Sequence, residues 1–105
     1  LHRRRAVVLV MYDLPVKTGE NKKESDKFRR YLIHHGYVFI QKSIYAKLLR
    51  NKATLRHEVS LLKKEAPKGG IINILPLCID DFRKMESVSE SPFNISMFAD
   101  DMIIV

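Results

Sequence analysis

An α+β fold with one antiparallel sheet is predicted by three features of the 105-residue sequence. A β-branched apolar run, Val7 to Met11, stops at Tyr12-Asp13. Two segments with helical spacing follow, each closed by glycine or proline, and between and after them lie further short apolar runs. Forty-six per cent hydrophobic residues suits a globular chain, and 105 residues suits a single domain with one core.

The first strand is expected over Ala6 to Tyr12, after a basic extension at residues 1–5 that contains Arg3-Arg4-Arg5. Three of the five residues from Val7 to Met11 are valines, which marks a central strand buried on both faces. Asp13 at its end has two readings. It begins the turn before Leu14-Pro15, a common role for Asp, or it is a catalytic acid or metal ligand, because a charge at the edge of a dry core must be solvated, paired or bound.

Asn21 and Glu24 have capping-box spacing, so the first helix is expected from about Lys22 to His35, with Gly36 as a left-handed stop. Phe28, Tyr31, Leu32 and His35 share its core face. Lys23, Lys27, Arg30 and His34 form a basic stripe, widened by Lys22 and Arg29. Such a stripe is either a solvated face or a phosphate-binding one.

Tyr37 to Ile40 and Ser43 to Leu48 read as two strands or one bent strand, with the turn type at Gln41-Lys42-Ser43 left open for want of Gly. Asn51 caps a second helix, Lys52 to Ala66, with Leu55, Val59, Leu62 and Ala66 inward. Pro67 and Gly69-Gly70 end it. Ile71 to Leu75 is a strand that Pro76 either ends or places at an edge. One helical turn is expected over Asp80 to Met85, then a C-terminal segment, residues 87–105, whose Met102 to Val105 is an additional strand. The order is that of a ferredoxin-like βαββαβ sandwich. Two helices cover only one sheet face, so the other face is expected to be covered by a second copy, with the final strand free to cross to that protomer.

Charge is uneven. Residues 1–68 hold 17 of the 19 Lys and Arg but only six acids (Asp13, Glu20, Glu24, Asp26, Glu58 and Glu65), a local balance of +11 within a net +7. A positive body suits a polyanion partner. The lone Cys78 excludes an internal disulfide and fits a reducing cytoplasm, where it is expected to act as a small buried hydrophobe. No apolar run approaches the length of a membrane span, and the start of the chain is too short for a secretory signal.

Met11-Tyr12-Asp13-Leu14-Pro15, Lys27-Phe28-Arg29-Arg30-Tyr31-Leu32, the run from Gly36 to Tyr45, Pro67-Lys68-Gly69 and Asp81-Phe82-Arg83-Lys84-Met85 together resemble the CRISPR-associated protein 2 family, most of all members found beside a single-protein effector nuclease. The resemblance spans Val8 to Val105. It implies a homodimer with Asp13 facing its mate across the axis, and a cytoplasmic role in spacer acquisition. Partners implied are double-stranded DNA, with RNA as another substrate, and the CRISPR-associated protein 1 integrase. It also implies endonuclease activity dependent on Mg2+ or another divalent cation, with Asp13, Tyr12, Ser43 and Tyr45 catalytic and Asp13 the metal ligand. The basic residues Lys22, Lys23, Lys27, Arg29, Arg30 and Lys42 are then the nucleic-acid contacts. The family's usual hydroxyl after the late strand is replaced here by Cys78, and Ile79-Asp80 is also unusual. The other reading is a non-catalytic nucleic-acid-binding adaptor with Asp13 structural.

Magnesium takes six oxygens, commonly from one or two carboxylates, waters and substrate phosphate. One Asp13 per chain is therefore too few, and two across a dimer axis would suffice once phosphate arrives. His34, His35 and His57 fall on helices away from Asp13, which leaves no evident general base and implies slow hydrolysis.

Overall fold

The computed structural model describes residues 5–89. The elements are β1 (Ala6–Asp13), α1 (Gly19–His34), β2 (Val38–Gln41), β3 (Ile44–Leu49), α2 (Leu55–Glu65), β4 (Ile71–Cys78) and α3 (Ile79–Arg83). The four strands form one antiparallel sheet in the order β2-β3-β1-β4, which is the ferredoxin-like arrangement. The expected strand Met102 to Val105 lies outside the described residues.

β1 is central, and its residues from Ala6 to Val10 are all buried. Alternation sends Val8 and Val10 to one face with Phe28 and Leu32 of α1 and Leu62 of α2. Val7 and Leu9 go to the other face with Ile40 and Ala46. Fully burying side chains such as Phe28, Leu32 and Leu62 contributes about 1.5–3 kcal/mol each, so the helix-covered face is the main core.

α1 starts three residues earlier than the sequence spacing predicts. Thr18, not Asn21, is the cap: its hydroxyl accepts the Asn21 amide at 3.0 Å, and Asn21 is inside the first turn. The helix stops as expected. Gly36 has φ +88°, the Gly36 amide donates to Ile33 O and the Tyr37 amide donates to Leu32 O at 2.9 Å, a Schellman closure. His35, expected inward, is exposed. It caps the helix, stacks on Tyr31 at 4.0 Å and sets its Nδ1 2.9 Å from Tyr31 O.

β2 and β3 are two strands joined by Lys42-Ser43, with an irregularity between Phe39 and Gln41. Ser43 takes the left-handed conformation, φ 65°, at a position without glycine. Its carbonyl accepts the Tyr12 amide at 3.0 Å, so the turn is tied to β1. Asn51 caps a 3-10 turn, Lys52–Thr54, through its Oδ1 and the Ala53 amide, and α2 continues from it to Glu65, one residue short of expectation. β4 runs through Pro76 to Cys78, because an edge strand pairs on one side only and tolerates a missing donor there.

Three further features depart from expectation. Glu58 of α2 is buried and bonded to Tyr37 and Lys47. α3 is also more than a surface turn: the Ile79 amide donates to Arg5 O, and Ile79 and Phe82 are buried against Val7 and Leu9. The second sheet face is thus partly covered by the chain itself. Cys78 is half-buried rather than fully buried, and its thiol donates to Asp81 Oδ2 at 3.1 Å. With the Lys84 ammonium also close, that bond holds the Asp81 carboxyl below its usual range.

Candidate functional site

Asp13 is the last residue of β1 and is exposed. It follows Val7, Leu9 and Met11 on the face away from α1 and α2, opposite Ile71 of β4. Its position is fixed by the backbone of the loop before β4. Gly70 has φ +83°, and a Cβ built there would lie 2.5 Å from the Asp13 carbonyl oxygen and 2.9 Å from Leu14 Cδ2. Only glycine lets that loop close so tightly on the end of β1.

Tyr12 points the other way. Its ring meets Phe28 edge-on at 5.4 Å and lies near-parallel to Tyr45 at 6.3 Å. Burial, and then the neighbouring Tyr45, push the Tyr12 phenol up to about 12, against a smaller opposite pull from Arg29. It is therefore neutral near pH 7, a hydrogen-bond donor and not a base. Tyr45 is 5% exposed and supports Tyr12 from behind. Ser43 is half-buried at the hairpin turn. The structure brings Tyr12, Ser43 and Tyr45 together but gives only Asp13, of the four proposed catalytic side chains, a fully exposed position.

Lys22, Lys23, Lys27, Arg29 and Arg30 are all exposed along α1, and Lys42 is exposed at the hairpin turn. A cleft of about 440 Å3 adds to this surface. It lies beside Leu14 and Pro15 and brings Lys64 and Lys68 near Lys27, together with Glu24 and Glu65. Lys64 and Lys68 are not among the contacts expected from the sequence, although Lys68 stands within Pro67-Lys68-Gly69 and Lys64 four residues before it. Nor is Phe39, 54% exposed and edge-on to Tyr45 at 5.7 Å, whose alternation with Val38 and Ile40 foretold a separate face.

Among the described residues no group of three or more His, Cys, Asp or Glu is placed to hold a metal. Asp13 on its own offers one carboxylate, and magnesium takes the rest of its six oxygens from waters, substrate phosphate or a further carboxylate. His34, His35 and His57 are exposed on α1, its cap and α2, apart from the end of β1. No helix among the described residues is long and apolar enough to cross a membrane.

The fold and surface define a small ferredoxin-like domain with a carboxylate at the end of its central strand and a basic first helix. Residues 6–85 match the model of the family described as CRISPR associated protein Cas2, and the chain belongs to that family. It is 33% identical to a "CRISPR-associated endoribonuclease Cas2" of Treponema denticola over 93% of this chain and 97% of that relative. A protein of the same description from Streptococcus mutans is 35% identical over 74% of this chain and 73% of its own length. One from Ligilactobacillus salivarius is 32% identical over 74% and 77%.

Proposed function

We propose that this chain acts in CRISPR adaptation as a homodimer that binds nucleic acid on its basic helical surface and cleaves phosphodiesters slowly at Asp13. The observation that carries this reading is an exposed carboxylate at the end of the central strand, whose backbone the Gly70 loop closes on, in the same domain as a cationic first helix. The name carried by its relatives, endoribonuclease, makes RNA the first substrate to test. Two Asp13 side chains facing each other across a dimer axis would supply the carboxylates that one chain lacks. A divalent ion bound there would neutralise phosphoryl charge and activate a water. The chain's own part is to present the carboxylate at the end of β1, while Tyr12, on the other face of that strand, packs against Phe28 and Tyr45 behind it.

A second reading is favoured by a specific observation: His34, His35 and His57 are exposed on α1, its cap and α2, so none of the described histidines belongs to the end of β1 that carries Asp13. In that reading the dimer is an adaptor that carries duplex DNA and bridges copies of the CRISPR-associated protein 1 integrase. The two functions are compatible and separable by Asp13→Asn, which keeps size and hydrogen bonding but removes charge. Metal-stimulated RNA or DNA cleavage should fall to background, while duplex affinity and integration with the integrase persist, because phosphate binding rests on Lys and Arg. Wild-type cleavage by the variant would defeat the enzymatic part, and loss of integration would defeat the separation.

A further inference from the structure

Phe39 is the second residue of β2, the outer strand on its side of the sheet. Val38 and Ile40 turn to the face of Val7 and Leu9, which sends Phe39 to the helix side, opposite Tyr45 in register. There Tyr45 holds its ring edge-on at 5.7 Å and 78°, yet 54% of Phe39 stays exposed. A single exposed apolar residue is ordinary. Phe39 instead ends a continuous row of rings, Phe39, Tyr45, Tyr12 and Phe28, in which each ring contacts the next. Exposed cations flank the row: Lys42 on the turn that follows β2, and Arg29, next to Phe28 on α1 and close enough to Tyr12 to act on its charge. Only Phe39 of the four rings is exposed, since Phe28 and Tyr45 are buried and Tyr12 is partly so, and an open ring with cations along the same row can take a nucleobase on the ring and phosphates on the charges. An uncovered apolar ring on a sheet edge otherwise invites aggregation.

We infer that Phe39 is a stacking platform for an unpaired nucleobase, so that the surface prefers single-stranded or frayed nucleic acid whose backbone runs past Lys42 and Arg29. This rests on the nucleic-acid reading above and deepens it. A base inside a duplex is already stacked on both sides and cannot reach the ring, so the platform discriminates by strandedness and not by sequence.

The test uses the full chain, one oligonucleotide sequence as single-stranded RNA and as single-stranded DNA, and the corresponding blunt DNA duplex. Phe39→Ala should weaken binding of the single strands about tenfold and affect the duplex far less. Phe39→Trp should bind as wild type. It also introduces an indole into a chain that has no tryptophan, so its emission should drop when a single strand is added and stay nearly constant with the duplex. An Arg29→Glu, Lys42→Glu double variant should lose affinity for all three ligands and show a flatter salt dependence. Unchanged single-strand affinity for Phe39→Ala, with no emission change for Phe39→Trp, would overturn the stacking inference. An equal loss on strands and duplex would also overturn it, since Phe39 would then only be structural. If the double variant binds like wild type, Arg29 and Lys42 carry no phosphate and the path past Phe39 fails, whereas the nucleic-acid reading itself fails only if reversal of Lys23, Lys27 and Arg30 to Glu also leaves binding unchanged. If the double variant loses affinity while both Phe39 variants bind as wild type, only the platform fails. Should Phe39→Ala not fold, the emission of Phe39→Trp decides alone.

Discussion

Tyr37 just before β2, Lys47 on β3 and Glu58 on α2 meet on the helix side of the sheet. The Tyr37 hydroxyl donates to Glu58 Oε2 at 2.9 Å, and Lys47 Nζ lies 3.1 Å from both Glu58 oxygens and 5.5 Å from the Tyr37 ring centre. Tyr37→Phe leaves the buried carboxylate with one partner fewer and should cost about 1–3 kcal/mol, read by urea denaturation at matched protein concentration. Burial, and then the Glu58 charge, raise the Tyr37 phenol far above the ordinary tyrosine value, and Tyr12 is raised to about 12. A phenol whose pKa is higher in the fold holds its proton more tightly there. Its contribution is therefore intact below about pH 10, the unfolded value, and is lost as pH rises through the folded one. Melting temperature should fall from about pH 10 upward, less steeply in Tyr37→Phe. A wild-type melting temperature that stays flat from pH 9 to about 12 would contradict this. At Gly70, Ala must occupy φ +83° with its Cβ against the Asp13 carbonyl. Gly70→Ala should destabilise by more than about 1 kcal/mol and, by displacing Asp13, lower any cleavage as well. An unaltered urea midpoint would show that the loop yields freely.

Charge on α1 is separable from its packing, because Phe28 and Leu32 are buried while Lys23, Lys27 and Arg30 are exposed. Reversing those three to Glu should weaken nucleic-acid binding without unfolding the chain, and each lost phosphate contact should flatten the salt slope by about one unit. An unchanged slope would make the stripe a solvated face. The elements most legible in the sequence were those specified locally. The valine-rich β1 could be nothing but a buried strand, and Gly36 stops α1 as its position required. The start of α1 was misread because Asn21 and Glu24 have the spacing of a capping box, whereas Thr18 reaches the Asn21 amide first. Glu58 was illegible for a different reason: its partners lie on other elements and only the tertiary fold unites them. Asp13 stood out in the sequence because an apolar strand ended in a charge. The tight seat that Gly70 makes for it depends on two loops meeting.

At the scale of the molecule, α3 covers the Val7 and Leu9 part of the second sheet face, while Ile71 and Leu75 on β4 remain 61% and 45% exposed. The apolar surface left open runs along β4 from Leu75, opposite Leu9, to Ile71, opposite Asp13, and a dimer closing there would bring two Asp13 side chains towards one axis. Light scattering at micromolar concentration should give twice the chain mass, and Leu75→Glu should shift it towards the monomer. A wild-type monomer would remove the shared site. The most direct test of the account is metal stoichiometry, measured by titrating Mn2+ into the protein with a non-cleavable phosphodiester oligonucleotide present and following the ion by electron paramagnetic resonance. A shared site should appear as one tightly bound ion per two chains, absent in Asp13→Asn. One ion per chain, or the same tight site retained in Asp13→Asn, would contradict it.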